Sequence, residues 1–552
     1  MAFVADELLG YAGNGIGTTT TFVSLALARR GYDVQVLFAG TPPEQPVDPE
    51  WQRLYDEAGV RVRNVPRGRE DVLPSSFARA RDVEEALRED PPDVVVVQDL
   101  GALGYTAIRL RTLGLAFEQT SFVVFCHGTR QWITDVSRKV RVLPGAHAVS
   151  LLERASVELA DSVVSPSGYL VEWMRGEGWE LPEHTVVIPH VSRAGATGAE
   201  PPPAPELRAV ERLAFFGRLE ERKGVGPFVE ALKLLDPELL DRVEVEFIGR
   251  PTPLWPVARV RELLAPREAT FEPSLDQHEA LDRVRRPGTL VVMPSFEENS
   301  PNVVYECLEN RIPFIASNAR GIRELIAADD HERVLFDPTA EGIAAALRRV
   351  LTSAHAPQPA RPAFDDAESL RRWDEVFTQP VRAFPPAADT DEWELLVGEG
   401  DTPEPQLAET LARAQQASGA DVVTCGLYVD DGIQLFPGEP RALGLLSNGY
   451  GTVALVRRSL VKAEAPWPLF AGLSLSGARI VSVPLPLATS RPSPPSSEEA
   501  RLVLRHFERA LPSHLRLLGE LVPRLAARTD ERPVTRPHFA RRVARRLLAR
   551  VR

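Results

Sequence analysis

Cysteine, lysine and long apolar runs are all scarce in this chain of 552 residues, and each scarcity excludes something. The three cysteines, Cys126, Cys307 and Cys425, are scattered and odd in number. They offer neither a disulfide framework nor metal-ligand spacing, so a reducing cytosol is the expected setting. No apolar run approaches the ~18–20 residues a spanning helix needs, and no secretory apolar stretch opens the chain. Positive charge is in deficit. A net charge of −13 argues against a nucleic-acid binder. Lysine stands only at Lys139, Lys223, Lys233 and Lys462, and with 49 prolines the arginine bias reads as genome composition. The remaining balance, 44% hydrophobic and 26% charged, suits a cytoplasmic globular protein of roughly two to four domains.

Strand-like runs alternate with helical patterns through the first part, which predicts a parallel α/β sheet over 1–195. Residues 2–5, 33–38 (DVQVLF), 93–98 (DVVVVQ) and 121–126 (SFVVFC) read as strands, the last two fully buried. A glycine-rich loop, GYAGNGIG from Gly10 to Gly17, precedes a helix expected over about 18–30. His127 follows a parallel strand, where the ligand crevice of an open α/β sheet lies. A structural loop histidine is the alternative. Ser167 reads equally as a cleft residue or an N-cap.

Residues 192–210 are rich in Pro, Gly and Ala and mark a linker. A second α/β unit is expected over 205–378. Its strand LAFFG ends at Gly217, with Arg218 and Lys223 before a helix, and two such cations suit a diphosphate leaving group. The richest stretch is 294–326, PSFEENSPNVVYECLENRIPFIASNARGIRELI. It predicts a strand end, a loop carrying Glu298, and a helix carrying Glu306, with Ser300 as N-cap and Pro301 at the first helical position. Free N–H groups at that turn favour an anion near 297–300. Glu306, about two turns in, is placed to accept from ribose hydroxyls. Two carboxylates around such a helix start suggest a nucleotide-sugar site.

The spacing Glu298-x7-Glu306 within PS-x-x-E-x-SPNVVYE-x-L, followed by PFIAS and GI-x-ELI, resembles the donor signature of family 4 glycosyltransferases. The segments GIGT…RGYDVQVL, ADSVVSPSGYL and GRL-x5-GV resemble further parts of that family, so the likeness covers about 1–378. It implies a GT-B arrangement of two facing Rossmann-like domains and retaining, metal-independent transfer from a nucleoside-diphosphate sugar. By resemblance Arg218 and Lys223 clamp the diphosphate, and Glu306 holds the ribose. Glu298 holds sugar hydroxyls with N–H groups around Ser300–Asn302, and His127 approaches from the first domain. Gly15 and Gly17 face the phosphates, or serve only a tight turn. No cofactor or metal is implied. The acceptor class is a glycan, a glycolipid or a protein. Departures are His190-Val191 for an Asn-Gly, Arg311 for a helix-ending Gly (Asn310 being the substitute left-handed cap), and Ala319-Arg320 before Gly321. Arg320 either adds a ligand contact or narrows the site.

Residues 385–490 resemble part of a family 2, GT-A type glycosyltransferase. Gly398 and Gly400 replace the two metal-binding Asp positions, with Glu399 and Asp401 displaced, and Ala465-Pro466 stand where an acid is expected. This implies a degenerate module kept for packing or a protein partner. Residues 493–552 are expected to be a helical tail, and 536–552 (RPHFARRVARRLLARVR) reads as basic and amphipathic. A membrane surface, an acidic partner or the protein's own acidic face would suit it. The alternatives to a transferase are a non-catalytic scaffold subunit and a GT-B phosphorylase or sugar-phosphate synthase.

Overall fold

The structure, a computed structural model, describes residues 1–13, 15–42, 47–68, 71–137, 144–200, 202–353, 355–383, 392–430, 432–439, 444, 447–491, 498–503 and 505–506. The basic segment 536–552 lies outside the described residues. Seven parallel strands form the first sheet, in the order Arg61–Asn64, Gln35–Phe38, Ala2–Ala5, Val94–Gln98, Ser121–Phe125, Ser162–Ser165, Thr185–Val187. Six parallel strands form the second, in the order Thr270–Glu272, Glu244–Ile248, Arg212–Phe216, Thr289–Met293, Phe314–Ser317, Leu335–Phe336. The central strands are unbroken runs such as Val94-Val95-Val96-Val97, buried on both faces, as parallel sheets covered by helices require. Separate apolar cores fill the two faces of each sheet.

Strand order reverses between Ala2–Ala5 and Val94–Gln98 in one sheet, and between Arg212–Phe216 and Thr289–Met293 in the other. Ligand crevices of open α/β sheets open at such points, beyond the strands' carboxyl ends. Arg218 and Glu298 follow the two strands that flank the second switch point. His127 follows Ser121–Phe125, one strand from the first.

Two contacts tie the expected units together. The unit expected over 205–378 reaches the first domain at its end. Helix Asp366–Phe377 crosses back and buries Leu370, Trp373 and Val376 in the core of the first sheet. Asp374 ties it there, accepting from Tyr32 Oη at 2.9 Å and pairing with Arg30. The third module, expected to be kept for packing or a partner, joins its sheet to the first domain. Its central strand Val422–Val429 pairs parallel with Ile480–Thr489 and antiparallel with Ala454–Arg457 and Gly432–Gln434. Gly432–Gln434 then pairs with Val72–Leu73, a strand of the first domain. Val72, Phe77 and Tyr105 share one apolar cluster with Ile433 and Leu435. Such a pairing joins residues far apart in sequence, which no local pattern announces.

Candidate functional site

The donor signature folds as strand Thr289–Met293, a loop, and helix Asn302–Glu309. The helix starts one residue later than expected. Pro301 is the N-cap residue, and Ser300 caps nothing: its Oγ lies 2.9 Å from Tyr305 Oη. The left-handed position at the other end is taken by Arg311 (φ 53°) and not by Asn310, whose Nδ2 donates to Glu306 O at 2.8 Å.

Glu298 is 4% exposed and fully engaged. Lys223 Nζ donates to its Oε1 at 2.5 Å, and Arg222 Nη1 to its Oε2 at 2.6 Å. Burial alone would raise this carboxyl, but Arg222 and Lys223 outweigh it and hold the pKa down at about 2. Burial pulls the Lys223 ammonium down against the attraction of Glu298. Arg218 points elsewhere, to Glu220 Oε1 at 3.2 Å, and its side chain is 60% exposed. Arg222, the second cation on Glu298, was not singled out from the sequence. It sits in the charge run EERK, where one cation looks like another. Glu306 accepts from Gln277 Nε2 at 2.6 Å, and burial raises its pKa against that bond. Beside it a cleft of about 200 Å³ separates the domains, lined by Thr19, His190, Gln277, Asn302, Tyr305 and Glu306.

The first domain closes directly on this loop. Helix Gly15–Arg29 begins at Gly15, whose carbonyl accepts from Asn302 Nδ2 at 3.0 Å. A Cβ on Gly17 would meet Leu8 N at 2.9 Å, so close packing accounts for that glycine. Ser167 fills both of its readings: its Oγ accepts from Leu170 N as an N-cap and donates to Asn299 Oδ1 at 2.5 Å. Asn299 Nδ2 in turn donates to His127 O at 3.1 Å. Glu324 accepts from Gly168 N and Tyr169 N at 2.7 and 2.8 Å. Gly321 packs on the Glu298–Asn299 backbone, where a Cβ would fall 1.9 Å from Asn299 O. Arg320 stacks its guanidinium 4.3 Å over Tyr169 and lies 3.6 Å from Glu172.

His127 sits on a loop organised by two fully buried carboxylates. Asp99 accepts from His127 N and Gly128 N at 2.9 and 3.0 Å. Glu153 accepts from Arg130 N and Gly101 N at 2.7 and 2.9 Å. Burial, which outweighs these bonds, pushes Asp99 up to about 6 and Glu153 up to about 7. The His127 ring stacks on His190 at 5.6 Å, and His190 meets the Tyr305 ring at 5.1 Å. Burial and His190 push the His127 pKa well down, so the imidazole is neutral. Its Nε2 and the Nδ1 of His190 are buried without hydrogen-bond partners among the described residues. Neutral histidine orients hydroxyls by donating and accepting; it does not arrive as a charged acid.

Comparison with known proteins agrees with this geometry. Residues 14–190 match the family model described as "Glycosyl transferase 4-like domain", and 208–363 match "Glycosyl transferases group 1". Two facing Rossmann-like units with these matches define a glycosyltransferase of GT-B fold. Among individual relatives, a glycogen synthase of Mycobacterium tuberculosis is 28% identical over 402 residues, covering 67% of this chain and 90% of that protein. TuaC of Bacillus subtilis, named as a candidate teichuronic acid biosynthesis glycosyltransferase, is 28% identical over 141 residues. That match covers 25% of this chain and only 33% of TuaC. Among solved structures, sucrose-phosphate synthase from Thermosynechococcus elongatus is 20% identical, with 68% of this chain and 96% of that one covered and a TM-score of 0.47. Anabaena Alr3699/HepE in complex with UDP and glucose is 15% identical, with 68% and 98% covered and a TM-score of 0.42.

Proposed function

We propose that this protein is a retaining glycosyltransferase that moves a sugar from a nucleoside-diphosphate sugar bound at the domain boundary. The observation that carries the reading is the Glu298–Lys223 pair, buried beside a helix start whose Asn299 and Asn302 donate to His127 O and Gly15 O of the opposite domain. Glu306 would hold the ribose in the cleft beside Gln277. Lys223 and Arg218 would turn to the diphosphate, helped by N–H groups around Ser300 and Asn302. These cations and the helix terminus would neutralise charge as the phosphate departs, the task a metal performs elsewhere, so transfer should persist in EDTA. Glu298 would accept from sugar hydroxyls, and neutral His127 would orient the sugar from the first domain. The acceptor would attack on the face the diphosphate leaves, with the leaving phosphate taking its proton, so configuration is retained. Because Glu298 is almost closed to solvent, the domains must part to admit the donor and close for reaction.

The acceptor class we infer is a cell-surface glycan, a glycolipid or a protein, with the basic segment 536–552 favouring a membrane surface. No described helix is long and apolar enough to cross a membrane. The module over 385–490 would be a non-catalytic GT-A-like remnant, with Gly432–Gln434 bracing the first domain. Asp401 there accepts from Thr452 Oγ1 at 2.5 Å. The test is turnover of UDP-, GDP-, ADP- and dTDP-glucose with and without EDTA, followed by NMR of the product anomer. Retained configuration in EDTA is expected. Inversion, or loss in EDTA, contradicts the mechanism, and no turnover of any donor returns the scaffold reading.

A further inference from the structure

Arg222 has a role that the proposed donor contacts leave open. Its guanidinium and backbone are pinned within the second domain. Nη1 donates to Glu298 Oε2 at 2.6 Å and to Glu297 O at 3.1 Å. Nη2 donates to Glu220 Oε1 at 3.1 Å, and its carbonyl accepts from Phe296 N at 2.9 Å. Its side chain is only 10% exposed. The remaining face meets the first domain: the guanidinium carbon lies 5.9 Å from the centre of the Trp132 ring. Trp132 belongs to helix Arg130–Val136, and its ring is packed so closely on Gly128 that a Cβ there would fall 2.6 Å from it. Gly128 is the neighbour of His127. One indole–guanidinium contact therefore joins the loop carrying His127 to the carboxylate of Glu298.

The geometry points to Arg222 as a positioning residue that couples closure of the two domains to the orientation of Glu298. This rests on the proposal that Glu298 meets the donor sugar. A cation over an indole face is attracted to it, and a planar guanidinium keeps that contact while its N–H groups stay on the carboxylate. The contact exists only while the domains are together, so Glu298 is held in its final orientation at the moment of closure. Arg222 also keeps Glu298 ionised when Lys223 leaves it for the diphosphate. Arg218 cannot take this part, because it is exposed and turned to Glu220.

The test uses the full chain and whichever of UDP-, GDP-, ADP- or dTDP-glucose it turns over best. Arg222→Met should lower kcat by about tenfold or more while donor KM moves less than about threefold, as expected for an interaction completed after binding. Trp132→Leu should do the same, and the double variant should be no worse than Arg222→Met, because the two residues act as one unit. Arg222→Lys keeps the charge without the planar contact and should match Trp132→Leu; these two carry the test if Arg222→Met does not fold. Losses that multiply in the double variant, an effect on KM alone, or parental kcat in Trp132→Leu would overturn the coupling. An active Glu298→Gln would instead sink the donor reading beneath it. Inactive Glu298→Gln beside parental Trp132→Leu and Arg222→Lys would sink the coupling alone.

Discussion

The two sides of the cleft bury carboxylates in opposite ways. In the first domain Asp99 and Glu153 are satisfied chiefly by backbone N–H groups, and burial pushes them up to about 6 and about 7. In the second, Glu298 is satisfied by two side-chain cations, which outweigh its burial and hold it at about 2. Backbone donors are neutral and fixed, so they shape a loop without settling the charge on the acid. Side-chain cations settle the charge and can be withdrawn when a stronger anion arrives. The first arrangement suits a scaffold for His127. The second suits a group that must stay ionised while its neighbours change partners.

Glu298→Gln should show the largest effect, a loss of about 100-fold or more in donor turnover, since it removes the charge that two buried cations face. Release of nucleoside diphosphate measures it. Asp99→Ala leaves the N–H groups of Leu100, His127 and Gly128 without their acceptor and should cost about 3 kcal/mol in urea unfolding. Asp99→Asn keeps one acceptor and should cost less. The comparison sharpens with pH. Glu153 is raised in the folded state, so its contribution is fully present below about 4.5 and is lost as pH rises through about 7. Glu153→Gln cannot ionise, so its deficit relative to the parent should shrink by about 2 kcal/mol from pH 5 to pH 8. Glu298 is depressed, and its contribution is lost only as pH falls from about 4.5 towards about 2. The stability deficit of Glu298→Gln should therefore stay constant from pH 5 to pH 8, and a deficit that shrinks like that of Glu153→Gln would erase the distinction. Tyr105→Phe, which removes a 3.3 Å bond to Pro437 O at the third sheet, should cost under about 1 kcal/mol and leave turnover unchanged.

What was legible in the sequence was what is local. Strand, loop and helix lie within 294–326, so one contiguous stretch announced Glu298 and Glu306 together. The valine runs announced buried parallel strands for the same reason. The misses are contacts between distant segments or choices among similar neighbours. Ser300 loses the cap because Tyr305 Oη, a turn away in the helix, lies within bonding distance of its hydroxyl. Arg222 and Lys223 are adjacent and alike in charge, and only packing shows that both reach Glu298. Asp99 had a usable signal: it ends a parallel strand beside the switch point, the rule that selected His127. Glu153 had none, since it stands beside Arg154 in a helix and reads as one half of a surface charge pair. Pairing of Val72–Leu73 with Gly432–Gln434 links segments about 360 residues apart, beyond any sequence window.

The central claim is that a nucleotide sugar is held in the cleft by Glu306. Thermal unfolding of the protein with UDP-, GDP-, ADP- and dTDP-sugars, each repeated with EDTA and with Glu306→Ala, tests it most directly. The account predicts a rise in Tm with one nucleotide that persists in EDTA and disappears in Glu306→Ala. No rise with any donor, or a rise that survives Glu306→Ala, would contradict it.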